Sequence, residues 1–214
     1  MNYDAKEIKQ FKEELKLAIK EFMKYTESED YMGVILRGHL YIENELTQLI
    51  QKILIKPDKI SLPYFSTKLD AAYALGAIDD EWYGAFKKMN KIRNKYAHDL
   101  GYEFVEEDFS DLISTLSKDA KYEYVKNLAR EEILNDFRKA IDGNTYETTL
   151  KDRLRLLFSD FMIYIKQQNQ TIDLVWKEIC VTKEAEILGW RIEKSKALAL
   201  DRTEDGITSD VNKP

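Results

Sequence analysis

Residues 79–98, DDEWYGAFKKMNKIRNKYAH, carry the pattern that decides the fold. With about 100° per residue, the largest apolar side chains of this stretch cluster on one side of a helix, namely Trp82, Phe86, Met89 and Tyr96. The first turn is acidic and the last turn is basic, which matches the helix dipole. The stretch therefore predicts an amphipathic helix that ends near His98 and turns its apolar side toward a core.

The same periodicity extends along most of the chain. Apolar residues recur at steps of three and four within residues 4–25, 28–55 and 150–164, and no stretch alternates convincingly with period two. Residues that break or cap helices mark the connections, namely Pro57, Pro63, Ser66, Gly76 and Gly101. We therefore predict an all-α fold, an antiparallel helical bundle.

The pattern changes toward the end of the sequence. Periodicity weakens after Gln170, and the final stretch, DRTEDGITSDVNKP, is polar and carries no apolar repeat. We predict a helical bundle domain over residues 1–169, a helical extension over 170–200 and a disordered tail over 201–214.

Composition excludes several classes of protein. The 214 residues carry a net charge of −6 and one cysteine, Cys180, so neither a disulfide nor a cysteine-based zinc site can form within one chain. No secretory leader is visible, and Arg155 and Asp160 interrupt the most apolar run, which argues against a membrane span. We expect a cytoplasmic protein that needs no cofactor, and the acidic balance argues against a protein that coats duplex DNA.

A basic run stands out against this acidic background. Five Lys or Arg residues lie between Lys87 and Lys95 without an intervening acid. Lys87, Lys91 and Lys95 could guide an RNA backbone, although ordinary helix solvation explains them nearly as well. Arg93 projects from the apolar side of the helix, so its guanidinium must either reach solvent along its stem or find a partner. The natural candidates for an ion pair with Arg93 are Glu43 and Glu45 on the second helix.

Arg93 and His98 are candidates for catalysis. A histidine that titrates near neutrality and an arginine that binds phosphate can together cleave RNA through the neighbouring 2′-hydroxyl, without a metal ion. The two side chains lie about 140° apart on an ideal helix. Three solutions exist: the helix unwinds before His98, the arginine curls around, or a second subunit completes the site. Asn94 shares a face with His98 and can orient it.

Structural roles compete with these functional ones. A histidine in the last turn of a helix often only complements the helix dipole, and an arginine on an apolar face is often half of a structural ion pair. His39, the other histidine, lies on the apolar stripe of the second helix. We predict that it is a hydrogen-bonded core residue.

The stretch RNKYAH, Arg93 to His98, resembles the R-x4-6-H signature of the HEPN superfamily, whose members are all-α bundles and include many metal-independent endoribonucleases. The wider segment YFSTKLDAAYALGAIDDEWYGAFKKMNKIRNKYAHDL is similar to the central part of the mannitol-operon repressor family. The resemblance spans roughly residues 28–165. It implies that Arg93 and His98 form the catalytic pair and that Asn94 supports them.

The resemblance also implies partners and a setting. Two subunits would pair through the helix that carries Arg93 and His98, so that two motifs face one groove, and RNA would be the substrate. A toxin-antitoxin or antiviral role, with an antitoxin or regulatory protein as partner, follows from the nuclease relatives. The repressor-like relatives imply a different function, a non-catalytic regulator or scaffold that acts through protein contacts. In some HEPN proteins a modified tyrosine stands two residues after the histidine, where this chain has Leu100.

Overall fold

The computed structural model describes the backbone of residues 5–142 and 148–205, and the side chains of residues 5–132, 148–179, 182 and 183. Within these ranges all regular secondary structure is helical, which confirms the all-α prediction. A short 3-10 turn, Pro57–Lys59, interrupts a series of seven α-helices: α1 (Ala5–Tyr25), α2 (Tyr31–Ile53), α3 (Phe65–Ala74), α4 (Asp80–His98), α5 (Glu106–Ser114), α6 (Lys118–Asp142) and α7 (Leu150–Asp205).

The chain divides into two compact units, Met1–Gln170 and Thr171–Pro214. Helix α7 contributes its first part to the first unit and continues through the second unit to Asp205. Residues 201–205 are therefore helical, where the sequence predicted the start of a disordered tail. The rest of that predicted tail, residues 206–214, lies outside the described residues.

The core of the first unit forms where α2, α4 and the first part of α7 turn their apolar stripes inward. Most of the stripe that the sequence predicts for α2 is buried, and in the stripe of α4 Phe86 and Met89 are buried while Trp82 and Tyr96 are half-buried. The largest fully buried side chains include Ile35, Ile42, Leu46, Leu49, Phe86, Met89, Ile92, Phe158 and Phe161. Helix α3 packs against both α2 and α4. This packing holds one face of α4 against its neighbours along most of its length.

Gly38 allows α2 to approach α7 closely. A Cβ atom added at Gly38 would lie only 2.3 Å from Cδ1 of Phe158, inside van der Waals contact. The ring of Phe158 therefore fills the space that any other side chain would need. This contact sets the distance between the two helices at the residue that precedes His39.

The start of α4 is anchored to α7. Asp79 is the N-cap, and its Oδ1 accepts a hydrogen bond from the Trp82 backbone N–H at 3.2 Å. The hydroxyl of Tyr164 donates to Oδ2 of Asp79 at 3.0 Å and accepts from the Asp79 backbone N–H at 3.1 Å. The Trp82 ring stacks on the Tyr164 ring with centroids 4.3 Å apart. The first turn of α4 is thus held by its cap, by a tyrosine hydroxyl and by an aromatic stack.

The end of α4 is anchored to the segment that follows it. The Phe104 backbone N–H donates to the Tyr96 hydroxyl at 3.1 Å, and Lys95 Nζ lies 3.0 Å from Asp108 Oδ1 on α5. Burial alone would raise the pKa of Asp108, but hydrogen bonds from Lys95 and from the Val105 N–H outweigh it and lower the pKa. The carboxylate therefore stays charged at neutral pH. These contacts fix the helix end on which His98 lies.

Three residues that the sequence marks as helix ends have different outcomes in the structure, namely Gly76, Gly101 and Ser66. Gly76 has a φ of +71°, which confirms the left-handed stop after α3. Gly101 follows the end of α4 but has no positive φ, and its N–H donates to Oδ1 of Asp99 at 3.0 Å. Helix α3 begins at Phe65 rather than after Ser66, because the Thr67 hydroxyl bonds to the backbone of Tyr64 and caps the helix there.

Candidate catalytic site

Arg93 lies half-buried on α4, and no carboxylate of the described residues is its partner. Its Nη1 donates to Oδ1 of the adjacent Asn94 at 3.1 Å, and its Nε is buried without a hydrogen-bond partner. No ion pair to Arg93 is found among the described residues. A guanidinium carries five N–H donors in a planar fork, and in the described part of the chain Asn94 accepts from one of those of Arg93. Such a group can accept an anion from outside the chain.

The two acids that the sequence favoured as partners of Arg93 are paired with lysines instead. Glu43 Oε1 lies 2.8 Å from Lys68 Nζ on α3, and Glu45 Oε1 lies 2.9 Å from Lys166 Nζ on α7. Both acids therefore form ion pairs, but the expected pairing with Arg93 is wrong. The reason is geometric, since α3 and α7 each place a lysine closer to α2 than α4 places its arginine.

His39 is buried between α2 and α4. Only 2% of its surface is exposed, its Nε2 lies 3.0 Å from Asn90 Oδ1, and its ring packs on Phe65 at 4.5 Å between centroids. This confirms the prediction of a hydrogen-bonded core residue. Since Oδ1 of Asn90 can only accept, Nε2 is assigned as the donor and carries the hydrogen.

The environment of His39 keeps its imidazole neutral. Burial lowers the pKa of His39 below 6.5, and the charges of Arg93 and Lys68 lower it further, while the Asn90 hydrogen bond and the Glu43 charge act in the opposite direction. The lowered pKa means that the ring carries no charge at neutral pH. Arg93 thus faces a neutral histidine rather than a second cation.

His98 is the last residue of α4 and is exposed to solvent. The helix is continuous from Arg93 to His98, which excludes the solution in which it unwinds between them. Arg93 instead turns one nitrogen toward Asn94, on the face that His98 shares, and forms no hydrogen bond with His98 itself. The structure therefore brings Arg93 and Asn94 together but leaves His98 one turn beyond them, accessible to a ligand or to another protein chain.

The three lysines predicted to guide RNA have different surroundings. Lys91 is exposed, Lys87 Nζ lies over the Tyr83 ring at 5.1 Å from its centroid, and Lys95 is held by Asp108. A neighbouring lysine, Lys88, pairs with Asp111 at 2.7 Å. Part of the positive charge of the basic run is thus neutralised by α5. Lys91 and Lys87 remain the lysines of this run that face no carboxylate in the described part of the chain.

Sequence reasoning missed Asn90, Lys68 and Asp108. Asn90 lies one turn before Arg93 and Asn94, so an i, i+4 pattern from Asn90 to Asn94 was visible, but nothing in it pointed to a histidine on another helix. Lys68 gave no signal of its own, and nothing in the sequence linked Asp108 to Lys95, since each acquires its ion pair from a residue on a different helix.

The described residues contain no group of side chains that could hold a metal ion. No three His, Cys, Asp or Glu side chains come together there in the way that a metal ion requires. Nor is any helix of the described ranges long and apolar enough to cross a membrane.

A comparison of the chain with protein-family models, curated proteins and solved structures finds no match in any of the three.

Proposed function

We propose that this protein is a metal-independent endoribonuclease of the HEPN type that acts in the cytoplasm. The observation that carries the proposal is the half-buried Arg93, whose guanidinium has no carboxylate partner within the described part of the chain, on the same helix as Asn94 and the exposed His98. An arginine held in this way is suited to bind a phosphate and to stabilise the extra negative charge of its transition state.

Each of the three residues has a defined role in this proposal. His98 transfers protons at the 2′-hydroxyl or at the leaving 5′-oxygen, the role that histidine most often has in general acid–base catalysis. Arg93 binds the scissile phosphate, and Asn94 orients the guanidinium through their hydrogen bond. The 2′-oxygen attacks the phosphorus, the bond to the 5′-oxygen breaks, and the products end in a 2′,3′-cyclic phosphate and a 5′-hydroxyl.

A composite site reconciles this chemistry with the helix geometry. Arg93 and His98 lie about 140° apart on a regular helix, and α4 is regular between them. We infer that Arg93 of one subunit acts with His98 of a second copy, in a homodimer formed around the two α4 helices. A toxin-antitoxin or antiviral system, with an antitoxin or regulatory protein as its partner, is the setting that we propose for such an enzyme.

The direct test is cleavage of a single-stranded RNA oligonucleotide by the purified protein in EDTA. We expect products with 2′,3′-cyclic phosphate ends, and we expect His98→Ala and Arg93→Ala each to abolish them. Leu100→Ala is the matched control, because Leu100 is fully exposed two residues beyond His98. Cleavage by His98→Ala at the wild-type rate would refute the assignment of His98.

A mixing experiment tests the composite site separately. Neither Arg93→Ala nor His98→Ala protein should cleave alone, but a mixture of the two should recover about a quarter of the wild-type rate, because half of the dimers are mixed and one of their two sites is intact. No recovery after subunit exchange, despite a demonstrated dimer, would place both residues in one chain.

A second function is favoured by the ion pairs of the basic run. Lys95 with Asp108 and Lys88 with Asp111 reduce the positive charge that RNA would meet on α4. This feature suits a non-catalytic regulator, similar to the mannitol-operon repressor family, that works through protein contacts. Recovery of a transcription factor on the immobilised protein, together with no RNA cleavage under any condition, would select this function over the nuclease.

A further inference from the structure

Three charged side chains act on the buried imidazole of His39. Glu43 lies one turn after His39 on α2 and places Oε2 at 3.8 Å from Nδ1, while Lys68 and Arg93 contribute positive charge from α3 and α4. We name Glu43, Lys68 and Arg93 the charge cluster. It contains two cations and one anion around a neutral ring, so it holds one unit of positive charge in excess.

Within the charge cluster, only one of the two cations is neutralised by Glu43. Lys68 Nζ lies 2.8 Å from Glu43 Oε1, and the Lys68 and Glu43 side chains are 16% and 24% exposed. An ion pair so largely shielded from water is screened less than a surface pair. Arg93, by contrast, is left with Asn94 and an unpartnered Nε. The excess positive charge therefore resides on the guanidinium.

We propose that Lys68, on α3, is a positioning residue. Its ammonium group binds the carboxylate of Glu43, on α2, and thereby keeps Arg93 free to bind the phosphate of its substrate. The inference rests on the proposed function and adds to it a control on the catalytic arginine. Lys68 touches neither the substrate nor the reacting atoms, and it acts only through Glu43.

The physical basis is competition between two cations for one carboxylate. If Lys68 loses its charge, Glu43 becomes a partly buried anion without a partner, which is costly. The remaining cation of the cluster is Arg93, whose planar guanidinium can bind a carboxylate through two hydrogen bonds. Glu43 would then occupy the donors that the phosphate needs. The pairing expected from sequence alone, Glu43 with Arg93, would thus describe an inhibited state of the site.

The test compares Lys68→Met with the double variant Lys68→Met/Glu43→Gln. Methionine keeps the apolar stem of the lysine without its charge. We expect Lys68→Met to lower the rate of RNA cleavage by at least about tenfold, because the guanidinium then loses its transition-state contact. The double variant removes the competing carboxylate and should return the rate to within about threefold of wild type. Lys16→Met, an exposed lysine on α1, is the control.

Rescue separates positioning from a merely structural role. If Lys68 only supported the fold, adding Glu43→Gln would destabilise the protein further, and the double variant would cleave RNA no faster than Lys68→Met. Lys68→Arg, which keeps the charge, should remain active. If Lys68→Met fails to fold, the single variant Glu43→Gln, with Lys68 intact, still tests the proposal. Glu43→Gln should cleave RNA at the wild-type rate. A loss of activity in Glu43→Gln would overturn the proposal.

A second readout does not depend on cleavage. The Arg93 Nε–H signal in a nitrogen-15 spectrum should shift when inorganic phosphate is added to wild type, but not to Lys68→Met. If wild type shows this shift, Lys68→Met does not, and wild type has no nuclease activity, the control of Arg93 by Lys68 stands and the proposed function fails. If wild type cleaves RNA and Lys68→Met cleaves equally well, the role of Lys68 fails and the nuclease function stands.

Discussion

His39 Nε2 and Asn90 Oδ1 lie 3.0 Å apart and join α2 to α4 inside the core. The bond is made between a neutral imidazole and an amide, one turn before Arg93, so α4 is fixed by a polar contact where it carries its candidate catalytic arginine. A buried polar pair of this kind must keep its geometry, because each partner would otherwise be unsatisfied.

The first prediction concerns acid sensitivity. Because burial and nearby cations lower the pKa of His39 in the folded state, the unfolded state takes up a proton first as the pH falls through about 6.5. This group therefore reduces the free energy of unfolding from about pH 6.5 down to the folded-state pKa, below which its contribution no longer changes. Urea denaturation across this range should show a smaller loss for His39→Gln than for wild type. His98→Gln, at an exposed site, should keep the wild-type loss.

The second prediction concerns Asp160, whose pKa burial raises to about 6. Its Oδ1 accepts from Asn127 Nδ2 at 2.9 Å, while its Oδ2 is buried without a partner. The Asp160 carboxyl group therefore stays protonated to a higher pH in the folded state than in the unfolded state. Its contribution to the free energy of unfolding is present below about pH 4 and is lost as the pH rises through about 6.

Asp160→Asn should therefore stabilise the protein at neutral pH by about 1–3 kcal/mol, because the amide carries no buried charge and still offers an oxygen to Asn127. The gain should disappear at about pH 4. Asp111→Asn, on the surface, should change the free energy of unfolding by less than about 1 kcal/mol at either pH. An equal gain for Asp160→Asn at both pH values would show that its charge is not responsible.

The third prediction uses two glycines. Gly38→Ala should destabilise the protein by about 1–3 kcal/mol, because the new methyl group overlaps the Phe158 ring. Gly84→Ala on α4 has open space around it and should stabilise the protein by up to about 1 kcal/mol through helix propensity. Thermal unfolding of the two variants should therefore move the midpoint in opposite directions. A neutral Gly38→Ala would mean that α2 and α7 can separate at no cost.

The fourth prediction distinguishes the lysines of α4 under the nuclease proposal. Lys91→Ala should weaken binding of single-stranded RNA and lower the slope of log affinity against log salt by about 1, because an exposed lysine releases one counterion. Lys95→Ala should change this slope less, because Asp108 already neutralises Lys95. Filter binding at several salt concentrations measures both slopes. Equal slopes for the two variants would contradict the assignment.

The helices and their buried faces were predictable because they depend on local spacing. The periodicity of residues 79–98 placed Phe86 and Met89 in the core, and the position of His98 at the end of α4 followed from the same pattern. A helical wheel also showed that Arg93 projects from the apolar side. These features need no knowledge of neighbouring helices.

The partners of charged residues were not predictable in the same way. Glu43 and Glu45 were expected to pair with Arg93, but the lysines that they pair with lie on α3 and α7, whose rotation and axial shift against α2 no local pattern determines. Gly101 follows the end of α4, as the sequence predicts, but it does not adopt the left-handed conformation, and its N–H donates to the side chain of Asp99.

Gly38 and His39 are neighbours in sequence, and they constrain α2 on two sides at once. Gly38 faces Phe158 of α7, and His39 faces Asn90 of α4. Inserting or deleting one residue between His39 and Glu43 would rotate one half of the helix by about 100° against the other and break the pairing of that half. Changes in length should therefore be tolerated at the ends of α2, next to Asp30 and Leu54, and not in its middle.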